Sequence, residues 1–108
     1  MTANKFRSLA LSFPGVVESA HMRHPDFRVE GKIFATLGYP DEECGMVGLT
    51  PAQQQEFLKK APSVFAPYSG VWGRRGASQV RLKQARVSLI RGALDLAWHN
   101  ATAKKKSA

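Results

Sequence analysis

Apolar side chains at Phe6, Leu9, Ala10 and Phe13 recur at i, i+3, i+4 and i+7, the spacing of one stripe on a helix, and Pro14-Gly15 closes the run. This predicts a first helix over about residues 3–13. The stretch VVESAHMRH is rich enough in β-branched and apolar residues for a short strand, which His24-Pro25 must interrupt. DFRVEGKIFATLG then predicts two strands around Glu30-Gly31-Lys32, with Gly31 supplying the positive φ of a tight hairpin. A three-residue loop puts Phe27, Val29, Ile33, Ala35 and Leu37 on one core face, whereas a two-residue loop shifts that pairing by one. YPDEEC reads as a polar turn and GMVGL as a further short strand.

Thr50-Pro51-Ala52-Gln53 combines a capping box with proline at the first helical position, so a second helix is expected over about 51–61. Phe57, Leu58 and Ala61 form its buried face and Pro62 stops it. In SQVRLK, Val80 and Leu82 alternate inward with Arg81 and Lys83 outward, which places those two cations on one sheet face roughly 7 Å apart. Val87, Ile90, Leu94, Ala97 and Trp98 mark a long last helix over about 86–101, and the basic tail at 102–108 has nothing to bury and is expected to be disordered.

A chain of 108 residues, 44% hydrophobic and 22% charged, is of the size and composition of one globular domain, expected over residues 1–101. The lone Cys44 excludes an intramolecular disulfide framework, and no apolar run is long enough for a membrane span or a signal-peptide core. A cytoplasmic protein is expected. The net charge of +8 is unevenly spread: residues 1–58 hold five basic and seven acidic side chains, whereas beyond them Asp95 is the single acid. Such a one-sided positive field attracts polyanions or acidic protein surfaces without choosing between them.

Certain residues in this order of elements resemble the MmcQ/YjbR family of small bacterial proteins. They are Phe13-Pro14-Gly15-Val16 with Glu18, His24-Pro25, Phe27-Arg28-Val29 and Gly31-Lys32-Ile33-Phe34-Ala35. Val47, Leu49, Pro62, Phe65, Pro67, Trp72-Gly73, Val80-Arg81-Leu82 and Ala97-Trp98 extend the likeness to the last helix. The resemblance implies an α+β domain with an antiparallel sheet in the order α-β-β-β-α-β-β-α, of the kind compared with the frataxin-like CyaY fold. It also implies DNA binding, with a double-wing arrangement, and no agreed catalytic residue or cofactor. Family members pass from the tryptophan straight into the next strand, whereas here GRRGAS lies between them and concentrates charge.

The stretch PYSGVWGRRGASQVRL therefore has two readings. In one it is a flexible wing whose glycines Gly70, Gly73 and Gly76 let Arg74 and Arg75 reach phosphates, with Arg81, Lys83 and Arg86 continuing the surface and Tyr68 or Trp72 stacking on a base. In the other it is a hairpin loop kept soluble by arginines over a packed Trp72. It is not a P-loop, because no Gly-Lys-Ser/Thr follows. Arg28 and Lys32 are either a second wing's phosphate contacts or charges guarding a strand edge. His21 and His24 reach one metal ion with Cys44 only if the chain turns at Met22-Arg23, so no metal site is expected. The acid-free first helix lacks the carboxylate ridge that frataxin-like iron binding needs.

Cys44 follows Asp41, Glu42 and Glu43, whose charges oppose thiolate formation, and those acids read as a solvated turn. His99 four residues after Asp95 is ordinary helix-surface pairing. No nucleophile–base pair, cofactor motif or metal set is present, so the expectation is a non-enzymatic domain that binds nucleic acid through Arg74, Arg75, Arg81, Lys83, Arg86, Trp72, Arg28 and Lys32. The alternatives are an adaptor that docks an acidic protein, and a small-ligand binder built around His21, His24 and Tyr68.

Overall fold

Helix α1 spans Ala3–Leu11, its first turn held by the Thr2 hydroxyl, which accepts the Lys5 amide at 3.1 Å. A computed structural model of the protein describes residues 1–103. After α1 come β1 (Val17–His21), β2 (His24–Val29), β3 (Lys32–Leu37) and β4 (Cys44–Gly48). Then follow α2 (Pro51–Lys60), β5 (Phe65–Pro67), the short α3 (Gly70–Arg74), β6 (Ala77–Arg81), a 3₁₀ turn at Leu82–Gln84 and α4 (Val87–Thr102). All strand pairs are antiparallel, in the order β1-β2-β3-β4-β6-β5. The α+β antiparallel class is as the sequence implied, and VVESAHMRH forms its expected strand, but four strands rather than three precede α2, and α3 adds a helix after β5. The tail charges Lys104–Lys106 lie outside the described residues, while Thr102, read as part of that tail, closes α4.

Helices α1 and α4 cover one face of the sheet. Phe6 from α1 and Ile90 and Leu94 from α4 are fully buried against Phe27, Phe34, Val47, Val80 and Phe65 from the strands. Phe13 stacks on Trp98 with ring centroids 6.4 Å apart, and the indole N–H of Trp98 donates to the Pro14 carbonyl at 3.0 Å. The Pro14-Gly15 and Ala97-Trp98 signatures thus meet as a structural clasp. The predicted capping box of α2 is formed: Thr50 Oγ1 accepts the Gln53 amide at 3.2 Å, and Gln53 Oε1 accepts the Thr50 amide at 2.9 Å.

One open local reading is decided and another changes. The first is the hairpin loop: Val29 pairs with Lys32, leaving only Glu30 (φ 51°) and Gly31 (φ 77°) in a tight turn. Ile33 accordingly faces away from the core, 41% exposed. An irregularity in the register follows, so that Arg28 pairs with Ile33 but Phe27 with Ala35. The extra residue, Phe34, turns into the core, and Ala35 and Leu37 return to the expected face. The second is the apparent interruption at His24-Pro25, which is the start of β2. The reversal comes just before it, with Met22 (φ 50°) and Arg23 (φ 69°) both left-handed and His21 opposite His24.

The segment read as a glycine-rich wing or loop is α3, and its glycines fix it in place. A Cβ on Gly73 would fall 1.5 Å from the Tyr68 carbonyl oxygen, and one on Gly76 (φ 111°) would fall 1.9 Å from that of Leu49. Close approach of backbone to backbone, rather than freedom, is what these positions require. The buried Gln54 of α2 completes the attachment, its side-chain amide donating to the Gly73 and Ala77 carbonyls at 3.0 and 3.1 Å.

Candidate functional site

The sheet face opposite α1 and α4 is left open over β2, β3 and β4, with α3 standing at its border. A hollow of about 660 Å³ lies there. Asp26, Thr36 and Met46 come from three adjacent strands to line it, His21, Met22 and His24 come from the β1–β2 reversal, and Tyr39 and Trp72 bring aromatic rings. The turn at Met22-Arg23 brings His21 and His24 to one side, as a shared site would require. Among the described residues, no three of His, Cys, Asp and Glu gather as a metal set.

Beneath the aromatic side lies Tyr68. Its ring is 4.4 Å from that of Trp72 and 5.6 Å from that of Tyr39, and its hydroxyl donates to the Tyr39 and Gly45 carbonyls at 2.7 and 3.2 Å. Tyr68 is buried, and Tyr39 and Trp72 keep 47% and 44% of their surface exposed. Burial pushes the Tyr68 phenol upward, with Cys44, Tyr39 and Asp41 adding to the shift as neighbouring negative charges would. The folded chain therefore holds this proton more tightly than the unfolded chain. The stability that follows is whole below the ordinary phenol range near about 10 and is lost as pH rises beyond it. Denaturant melts should lose up to about 1.4 kcal/mol per pH unit above that point, and Tyr68→Phe should flatten the loss while costing about 1 kcal/mol at neutral pH.

Asp26 is completely buried and was not among the expected site residues. Arg28 holds it through two bonds, Nε to Oδ1 at 2.8 Å and a terminal nitrogen to Oδ2 at 3.1 Å. The Asp26 hydrogen bond and charge raise the Arg28 guanidinium further above its already high range. Arg28, expected as a phosphate contact, thus has its fork turned to a carboxylate. An Asp-x-Arg spacing on a strand, where residues two apart share a face, is the signal that identifies the pair.

The remaining expected contacts fall into separate groups. Arg74 and Arg75 are exposed at the end of α3, and among the described residues they form no ion pair. Arg81 closes the far end of β6, its guanidinium donating to the Pro62 and Ser63 carbonyls at 3.4 and 3.3 Å. The strand between them, Ala77–Arg81, is roughly 13 Å long at the usual rise. Because β6 ends at Arg81, the expected strand spacing of Arg81 and Lys83 does not arise: Lys83 sits in the 3₁₀ turn and pairs with Glu43 at 2.9 Å. Both partners of that pair are mostly exposed, so it contributes little and salt weakens it. The Glu43 bond and charge raise the Lys83 ammonium. Arg86 precedes α4 and Lys32 begins β3, both exposed. The cations therefore occupy the two ends of β6 and the β2–β3 turn rather than one unbroken stripe.

Cys44 is buried and hydrogen-bonded by the Gln79 amide at 3.2 Å. Burial raises its thiol, and Asp41 adds to the rise against the opposing Gln79 bond. His99 donates its Nδ1–H to the Asp95 carbonyl at 2.8 Å on the exposed side of α4, away from the hollow. Among the described residues, no helix is long and apolar enough to cross a membrane.

The YjbR family model matches residues 11–100 of this chain. The chain belongs to the YjbR family. The YjbR fold is seen again in the crystal structure of Deinococcus radiodurans protein DR2400, described by the family-model domain DUF419. That structure is similar at a TM-score of 0.79 and 17% identity, over 95% of this chain and 80% of that one. No curated protein matches this YjbR sequence.

Proposed function

We propose that this YjbR domain binds nucleic acid without catalysing a reaction, holding the phosphate backbone along the α3 border of the open face. The observation that carries the reading is α3 itself: a short helix locked onto the sheet presents exposed Arg74 and Arg75 beside a half-exposed Trp72, with no carboxylate paired to either arginine among the described residues. Rigid placement favours such contacts, since little ordering remains to be done on binding. Arg81 and Arg86 extend the contact at the far end of β6, and Lys83 exchanges its exposed partner Glu43 for phosphate. Lys32 adds charge at the β2–β3 turn, whereas Arg28 stays with Asp26. The excess of cations supports association with a polyanion, and DNA is the first candidate.

A reducing, cytoplasmic setting fits a chain whose single cysteine is free. A second reading, protein docking, has its own support in β1, an edge strand exposed along all five residues and open to strand addition.

Salt-series titrations test the proposal. If Arg74, Arg75, Arg81 and Arg86 each neutralise one phosphate, log affinity falls against log salt with a slope of about −3 to −4. The Arg74→Ala/Arg75→Ala double variant should flatten that slope by about 1.5. An unchanged slope, or capture of an acidic protein with no affinity for any nucleic-acid probe, would remove the reading in favour of docking.

A further inference from the structure

Resting on the nucleic-acid reading above, we infer that the open-face hollow receives an unpaired base, so that the bound nucleic acid is single-stranded. The first support is shape. At about 660 Å³ the hollow is of small-ligand size, and Tyr39 and Trp72 border it with ring planes 52° apart and centroids 6.2 Å apart. The two rings are tilted toward each other rather than stacked. Each is backed by Tyr68, and each keeps nearly half its surface free. Aromatic faces fixed from behind and open in front are the surfaces on which bases stack.

The second support is charge. The acid at the site, Asp26, has both oxygens taken by Arg28, so the hollow offers neither a bare carboxylate for a cation nor an unengaged guanidinium for an anion. What it does offer are the hydrogen-bonding groups of Thr36, His21 and His24 among apolar side chains. This combination favours a flat, polar, uncharged ring system over a phosphate, a metal ion or an aliphatic chain.

The third support is position. Trp72 lines this hollow, while Arg74 lines a second one of about 510 Å³ across the same short helix. A strand with one base beside Trp72 crosses α3 to bring its phosphates to Arg74 and Arg75. A paired base in a duplex has no face to offer such a hollow without first being flipped out, which costs a few kcal/mol. The base pocket and the arginines therefore select together for an unpaired strand.

Anisotropy titrations at fixed salt, with a labelled single-stranded oligonucleotide, the same strand carrying abasic positions, and its duplex, test this. The expected result is that the intact single strand binds more tightly than the abasic strand or the duplex. Trp72→Ala should weaken the intact strand by about tenfold or more. It should leave duplex affinity and the salt slope unchanged, and Trp72→Phe should restore most of the loss. Circular dichroism verifies the fold of both variants; if Trp72→Ala does not fold, the comparison of intact with abasic strand on the unaltered protein decides alone. Equal affinity for intact and abasic strands, or an indifferent Trp72→Ala, would overturn the base pocket and leave backbone binding standing. Failure to bind any of the three probes would overturn both.

Discussion

Gly73→Ala should abolish stable folding. The added Cβ would sit 1.5 Å from the Tyr68 carbonyl oxygen and 2.5 Å from its carbonyl carbon, and both are backbone atoms that no rotamer change can move aside. Relief requires α3 to lift from the sheet, which would break the Gln54 bonds to Gly73 and Ala77 and uncover Tyr68 and Met46. The cost should exceed about 4 kcal/mol, a large part of the 5–15 kcal/mol that holds a domain of this size together. Gly92→Ala is the control, since nothing lies within 4 Å of its Cβ and the residue is exposed within α4. There the helix preference of alanine should add about 1 kcal/mol and raise the melting temperature by several degrees. Thermal melts of the two variants should move in opposite directions; a Gly73→Ala protein that melts with the parent would show that α3 is not anchored as described.

The Asp26–Arg28 pair should respond unequally to the loss of its two members. Arg28→Met leaves a fully buried carboxylate without its cation, for which about 3–5 kcal/mol of destabilisation is expected. Asp26→Asn keeps the volume and one acceptor, and it releases a guanidinium whose side chain is already 35% exposed. Its cost should be nearer 1–2 kcal/mol. Urea titrations of both variants measure the difference. Equal losses would mean that the carboxylate has water or another partner to turn to. Since the Arg28 fork is engaged by Asp26, Arg28→Met should not change the salt slope of nucleic-acid binding by the full unit that a phosphate contact would give.

The elements that periodicity encodes directly were legible in the residues. The stripe of Phe6, Leu9 and Ala10, the capping box at Thr50 and Gln53, and the run from Ile90 to Ala97 each specify a helix through local chemistry. The site was less legible because it depends on departures from period. The two-residue turn reverses the facing of Ile33, the single extra residue at Phe34 then restores that of Ala35, and no local rule announces such an insertion. Gly70, Gly73 and Gly76 carry the composition of a mobile loop, yet Gly73 and Gly76 are glycine because the carbonyls of Tyr68 and Leu49 lie where a side chain would go. Leu49 is far from Gly76 along the chain, and Tyr68 meets Gly73 only through the way the chain turns into α3, so the residues themselves display neither contact. Tyr39 likewise looks like an ordinary turn residue. Its importance comes from Tyr68 arriving beneath it from a segment 29 positions away.

The order of strands bears on how the chain reaches this state. β6 enters between β4 and β5, and the apolar layer over it is finished only by Ile90, Leu94 and Ala97 of α4. Until that last helix docks, Phe6 of α1 and Phe57 of α2 cover only part of the inner side of the sheet, and its apolar layer stays unfinished. Folding to this state therefore waits on α4 and is expected as one cooperative event, at the moderate rates of domains whose pairings join distant parts of the chain.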